Sequence, residues 1–229
     1  MEPAKEHLVK VPRRPVGHPL EPGVLIILSL GIFLSIVLRL GLFDFESADY
    51  REFLSPWYDF IVGHGGLSAL QYDFSNYSSL YLYLLTLATY LPLPKLYAIK
   101  LVSISFDFLL AFLVLLIVRL KYENRMIWLS SFFAALFAPT VFVNSALWGQ
   151  ADATYTSMLV ASIYLAIQRR PNLSLFFFSV ALSFKLQAIF LFPLFIVLCL
   201  KRRLPIYSFL IIPTTYAASI LPAWLAGLW

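Results

Sequence analysis

The 229-residue sequence holds a single cysteine, Cys199, inside an apolar run, so neither a disulfide framework nor a thiolate metal site is available. Charge is scarce as well. Only 13% of the residues are Asp, Glu, Lys or Arg, where soluble domains carry about a quarter, and this excludes a soluble globular domain. Histidine is rare too: His64 precedes a glycine pair but has no second histidine nearby, which argues against a metal site of ordinary composition. No cofactor is expected; a divalent metal is allowed but not indicated. The net charge of +5 does not mark a nucleic-acid binder, because the basic residues sit in short clusters beside apolar runs. Repeats, low-complexity tracts and interdomain linkers are absent.

What the chain has is hydrophobicity, with 61% apolar residues and a mean hydropathy of +0.83. Apolar runs recur at Val24 to Phe43, Ser79 to Pro92, Ile99 to Val118, Met126 to Val143, Tyr155 to Ile167, Leu173 to Leu200 and Ile206 to Trp229. The first is about 20 residues, the length of a spanning helix rather than a signal-peptide core. The pattern predicts an all-α, polytopic transmembrane bundle of about 6–8 hydrophobic helices, some short or broken. Residues 1–22 read as a cytoplasmic tail, 23–229 as the membrane domain and 43–78 as a helical extracytoplasmic loop. The chain ends inside an apolar run, which suggests the first half of a longer protein.

Basic clusters at the N-terminus, at Arg119, Lys121 and Arg125, at Arg169 and Arg170, and at Lys201 to Arg203 all belong inside by the positive-inside rule. That places the N-terminus in the cytoplasm of a bacterial inner or plasma membrane. It also makes Ser79 to Pro92, about 14 residues ended by Pro92 and Pro94, a short or re-entrant helix. Leu173 to Leu200 is short for two crossings, so two half-length helices meeting at Lys185 are expected.

Six of the twelve carboxylates, Asp44, Glu46, Asp49, Glu52, Asp59 and Asp73, fall in the first loop. Asp49, beside Tyr50 and Arg51 and ahead of Trp57, is placed to take a proton from a sugar hydroxyl, with Asp44 and Glu46 as lesser candidates. The alternative is a solvated loop. In Trp148-Gly149-Gln150-Ala151-Asp152, Gly149 permits close approach while Gln150 and Asp152 offer an amide and a carboxylate to sugar hydroxyls; the alternative is that Asp152 merely caps the next helix. Lys185 and Gln187 interrupt an apolar stretch, and an ionisable group there implies function: Lys185 either meets a phosphate or pairs with the mid-helix Asp107.

In their order these pieces resemble the GT-C superfamily of polytopic glycosyltransferases, which take sugar from a polyprenyl-phosphate carrier. The likeness runs through Ser47-Ala48-Asp49-Tyr50, Pro56-Trp57-Tyr58, Gly65-Gly66 and Phe74 to Tyr81; the last is similar to a Tyr-Pro-Pro-Leu element, with Ser78 and Ser79 at its proline positions. It extends to bacterial proteins related to the second GPI mannosyltransferase and to dolichyl-phosphate-glucose glucosyltransferases. Trp148 to Asp152 is similar to their Gly-Gln-x-Asp element, and Phe184 to Gln187 with Pro193 to their Phe-Lys-Gln element. The resemblance covers about Val24 to Pro193. It implies inverting transfer of a hexose, mannose or glucose, from a polyprenyl-phosphate donor to a glycan, lipid or protein acceptor. Asp49 is the implied base; Tyr50, Arg51, Trp57 and Trp148 are implied substrate contacts, as are Gln150, Asp152, Lys185 and Gln187. Membrane lipid is the surrounding partner. A polytopic transporter or a non-catalytic assembly subunit are the competing readings.

Overall fold

The computed structural model describes residues 21–227, and these are helical with no strand. The expected tail, with Lys5, Lys10, Arg13 and Arg14, falls outside the described residues. Helix α1 (Pro22–Leu40) opens on a proline, whose missing N–H costs nothing at that position. The loop behind it carries a π-helical segment (Tyr50–Leu54) that runs into α2 (Ser55–Gly63), followed by a 3-10 segment (Gly66–Gln71). Next come α3 (Ser79–Thr89), α4 (Lys95–Arg119), α5 (Arg125–Leu136) and the short α6 (Pro139–Phe142). A second π-helical segment (Val143–Leu147) leads toward α7 (Asp152–Ile167) and α8 (Pro171–Phe184). A 3-10 turn (Leu186–Leu191), α9 (Phe192–Leu200), another 3-10 turn (Ile206–Leu210) and α10 (Ile211–Ala226) complete the described chain.

Among the described residues three helices are long and apolar enough to cross a membrane: Pro22–Leu40, Lys95–Arg119 and Ile206–Ala226. A fourth arises if α5 and Pro139–Leu147 are one span, bent by 45°. The described residues are thus all-helical, with three or four candidate spans and several shorter apolar helices, compatible with a multi-pass membrane protein.

The breaks have local causes. Met126 to Val143 reads as one run, but Ala138 precedes Pro139 and takes the extended conformation that a following proline favours, so the helix bends there. Helix α3 stops at Thr89, ahead of Pro92 and Pro94. The run from Leu173 to Leu200 divides at Lys185, which is extended (φ −155°, ψ 129°) between α8 and the 3-10 turn.

The loop after α1 is not a solvated excursion. Tyr50, Leu54, Trp57, Tyr58 and Ile61 are buried against Tyr81 and Leu85 of α3, Ile99 of α4, and Phe184. Each such burial contributes about 1.5–3 kcal/mol. Its outer carboxylates, Asp44, Glu46, Glu52, Asp59 and Asp73, are exposed, while Asp49 is half-buried.

One face of α4 carries Lys100, Ser103, Asp107 and Ala111 at offsets of three and four, all fully buried. The Lys100 ammonium donates to the carbonyls of Leu42 (3.0 Å), Phe43 (2.8 Å) and Phe45 (2.7 Å), in the turn that follows α1. Asp107 pairs with Arg39, not with Lys185. Its Oδ2 meets Arg39 Nη2 at 3.0 Å and Nε at 3.2 Å, and Ser145 Oγ donates to the same oxygen. Arg39 also donates to the Leu136 carbonyl at 2.9 Å, so a single guanidinium joins α1, α4 and α5. The Asp107–Lys185 pair, one of the two readings of Lys185, is not formed: Lys185 sits at the α8 break beside Asp152, while Arg39 reaches Asp107 from α1.

Helix α10 contains Pro222, which cannot complete the helical ladder. At the next rung Tyr83 of α3 enters the ladder: its Oη accepts from the Ala223 N–H at 3.0 Å and donates to the Ser219 carbonyl at 3.0 Å, standing inside what would be an i to i+4 bond. Tyr83→Phe should therefore cost about 1–3 kcal/mol, since two backbone groups lose their partner. Thermal unfolding in detergent reads this directly, and an unshifted midpoint would show that the ladder closes without the hydroxyl.

Candidate functional site

Two stretches far apart in sequence are brought together by local devices. On the first, the chain turns helical at Ala48, and Ser47 caps it by accepting from the Tyr50 N–H at 3.0 Å. The same Ser47 hydroxyl donates to the Trp148 carbonyl at 2.7 Å, tying the loop helix to the second stretch. There the second π segment ends at Leu147, and Gly149 turns with φ +73°. A Cβ at Gly149 would meet only ordinary contacts, Lys100 Cγ at 3.7 Å and Leu54 Cδ1 at 3.8 Å. Glycine is required there by the left-handed backbone rather than by space. π segments recur at functional sites, and here one follows Asp49 and the other precedes Gln150.

The result is a continuous polar chain. Gln150 Nε2 donates to Asp49 Oδ2, and Gln150 Oε1 accepts from Asn144 Nδ2 at 2.9 Å. Asn144 Nδ2 also donates to Asp152 Oδ2 at 3.3 Å, and Asp152 Oδ1 is ion-paired with Lys185. The Lys185 ammonium lies 5.7 Å from the Tyr155 ring centroid. Beside this chain opens a pocket of about 220 Å³, lined by Asp49, Phe53, Leu54, Trp57, Asn76, Tyr77, Gln150 and Ala151. That is below the ~300–1,000 Å³ of sites for drug-sized ligands and suits a single ring. Trp57 and Tyr77 form its aromatic wall, with centroids 5.3 Å apart. Burial pushes the Tyr77 phenol above its ordinary range; Asp152 and Asp49 add to the shift and Lys185 opposes it. Tyr77 is therefore a neutral hydroxyl at physiological pH.

Among the residues singled out from sequence, Asp49, Trp57 and Gln150 line the pocket, and Asp152 and Lys185 join it through Asn144. Four others are placed elsewhere. Tyr50 is buried in the core, while Arg51, Trp148 (45% exposed) and Gln187 face outward. Asp152 makes no side-chain cap for α7, since both its oxygens are turned to Asn144 and Lys185. Of the lesser candidates, Asp44 is exposed and accepts from Tyr97 Oη, and Glu46 is exposed. His64 is stacked on Phe60 with ring centroids 3.8 Å apart. Asn76, Tyr77, Asn144 and Lys100 are site or supporting residues that sequence reasoning missed. The signal available was polarity next to an apolar run, which Asn144 shows in Phe-Val-Asn-Ser.

Chemically the pocket offers a carboxylate acceptor, amide donors and acceptors, a phenol and an aromatic face, the set that binds a hydroxylated ring. An ammonium held by a carboxylate stands behind it. No group of three or more His, Cys, Asp or Glu among the described residues is placed to hold a metal ion. Comparison of the chain with family models, curated proteins and solved structures finds no match.

Proposed function

We propose that this chain is an integral membrane hexosyltransferase of GT-C type, transferring mannose or glucose from a polyprenyl-phosphate donor to an extracytoplasmic acceptor with inversion. On this reading Asp49 takes the proton of the acceptor hydroxyl as that oxygen attacks the anomeric carbon. The bond from that carbon to the phosphate oxygen breaks, and polyprenyl phosphate leaves with the electron pair. Trp57 and Tyr77 give the sugar ring a face, and Gln150 holds the base. Lys185 turns from Asp152 to the donor phosphate. The single observation that carries the reading is the Asp49–Gln150 contact: it joins the first loop's acid to the Gly-Gln-x-Asp stretch 101 residues on, at the wall of a ring-sized pocket. The transporter reading drew on an intramembrane Lys and Asp with broken helices; Lys185 and Asp107 each have another partner, Asp152 and Arg39.

The test is transfer itself. Membranes containing the protein, supplied with labelled polyprenyl-phosphate mannose or glucose, should pass label to an endogenous glycan, lipid or protein; no transfer from either donor would sink the reading. The proposal also has 6–8 hydrophobic helices in the membrane, counting the short apolar helices Ser79–Thr89, Pro171–Phe184 and Leu186–Leu200, with the N-terminus in the bacterial cytoplasm. In a Cys199→Ser background, Ser68→Cys should react with an impermeant thiol reagent in intact cells, and Lys201→Cys only after permeabilisation. The reverse pattern would invert the topology and put the pocket on the wrong side for such donors.

A further inference from the structure

The hydrogen bonds around Gln150 have a fixed direction. An ionised carboxylate only accepts, so Gln150 meets Asp49 with Nε2 and turns Oε1 away. That oxygen requires a donor, and Asn144 Nδ2 supplies one at 2.9 Å. The second N–H of the same amide goes to Asp152 Oδ2 at 3.3 Å. Asn144 and Gln150 are also clasped through the backbone, because the Gln150 N–H donates to the Asn144 carbonyl at 3.0 Å. The neighbouring Ser145 is anchored to the buried Asp107, which fixes the segment from which Asn144 projects.

We infer that Asn144 is a positioning residue: its amide sets the polarity of Gln150, and Gln150 in turn holds Asp49 as a hydrogen-bond acceptor at the pocket wall. The ligand group bound at that wall is then a hydrogen-bond donor, a hydroxyl above all. This rests on the pocket being the ligand site proposed above, but the polarity argument stands on the hydrogen bonds alone. Were the amide of Asn144 replaced by a group that only accepts, Gln150 would turn its nitrogen toward position 144 and present its oxygen to Asp49.

Asn144→Asp makes that replacement without changing shape, and it is reversible with pH. While ionised, the introduced carboxylate faces Asp152 and the Gln150 oxygen; once protonated it regains one donor where the amide had two. The charged and titratable groups around position 144 are Asp152, Asp49 beyond Gln150, Lys185 beyond Asp152, Tyr77 at the pocket wall, and the Asp107–Arg39 pair beside Ser145. Each variant is therefore compared with the wild type at the same pH.

Two measurements are made on purified full-length protein in detergent at pH 8 and pH 5.5: the thermal midpoint, and the transfer rate from labelled polyprenyl-phosphate mannose. Asn144→Asp should transfer roughly tenfold more slowly than wild type at pH 8 and recover part of that loss at pH 5.5. Its thermal midpoint should fall and recover in parallel. Asn144→Ala, which cannot donate at either pH, should be impaired to the same degree at both. An Asn144→Asp protein equal to wild type at pH 8, or impaired equally at both pH values, overturns the inference. If the wild type transfers no label, the proposed function fails while the thermal measurement still decides: acid recovery confined to Asn144→Asp supports the polarity argument, and flat behaviour ends it.

Discussion

Arg39→Met should be strongly destabilising. Arg39 is 1% exposed and Asp107 is fully buried. Removing the guanidinium leaves a carboxylate with only the Ser145 hydroxyl for company. Breaking a buried pair from one side costs about 3–5 kcal/mol, because the remaining charge has lost its partner without regaining water. The Leu136 carbonyl loses a donor in the same step. The double change Arg39→Met with Asp107→Leu should restore much of the stability, since an apolar pair of similar volume carries no stranded charge. Thermal or denaturant unfolding in detergent measures all three variants. A stable Arg39→Met protein would remove the pair from the account of the fold. Lys185→Met, by contrast, should gain nothing from Asp107→Asn, because the partner of Lys185 is Asp152.

The second large effect is on chemistry. Asp49→Asn keeps the size of the side chain and its place at the pocket wall, and the new amide can accept from Gln150 Nε2 with its own oxygen, so stability should change little. Transfer should nonetheless fall by roughly 10²-fold or more, because an amide takes no proton from an attacking hydroxyl. Donor binding should persist, since Lys185 and the aromatic wall are untouched. Comparing single-turnover transfer with donor affinity separates the two. If the rate is comparable to wild type, the base is not Asp49, and Asp44 and Glu46, both at the exposed exit from α1, become the candidates.

Much of the helical layout was legible because it is written in local chemistry. Runs of apolar residues give helices, Pro92 and Pro94 follow the end of α3, and Lys185 marks the division of the last long run. The bend at Ala138 comes from Pro139, a lone proline inside an otherwise uniform apolar run. What sequence did not reveal was the choice of partner among buried charges. Arg39 and Lys100 stand near the ends of apolar runs, where a cation ordinarily reaches for the membrane surface; each instead turns inward to acceptors that the tertiary structure supplies. Neighbours in a motif also proved not to be neighbours in space. Trp148 and Gln150 are two residues apart, yet only Gln150 reaches the pocket, because the left-handed turn at Gly149 directs them differently. Gln187 shares a tetrapeptide with Lys185 and is carried outward by the 3-10 turn that begins at Leu186.

The π turn between Asp49 and Trp57 changes the spacing at which such a site should be sought. Trp57 is the eighth residue after Asp49. In an unbroken α-helix, at about 100° per residue, they would point about 80° apart. Because the π turn absorbs one extra residue, the effective separation is about seven α-helical steps, which brings the side chains to within about 20° of each other. Both line the same pocket. A loop helix shortened by one residue within Tyr50–Leu54, and so wholly α, would keep the acid and the indole on one face, whereas the natural length drawn into a regular α-helix would turn the indole away from the acid.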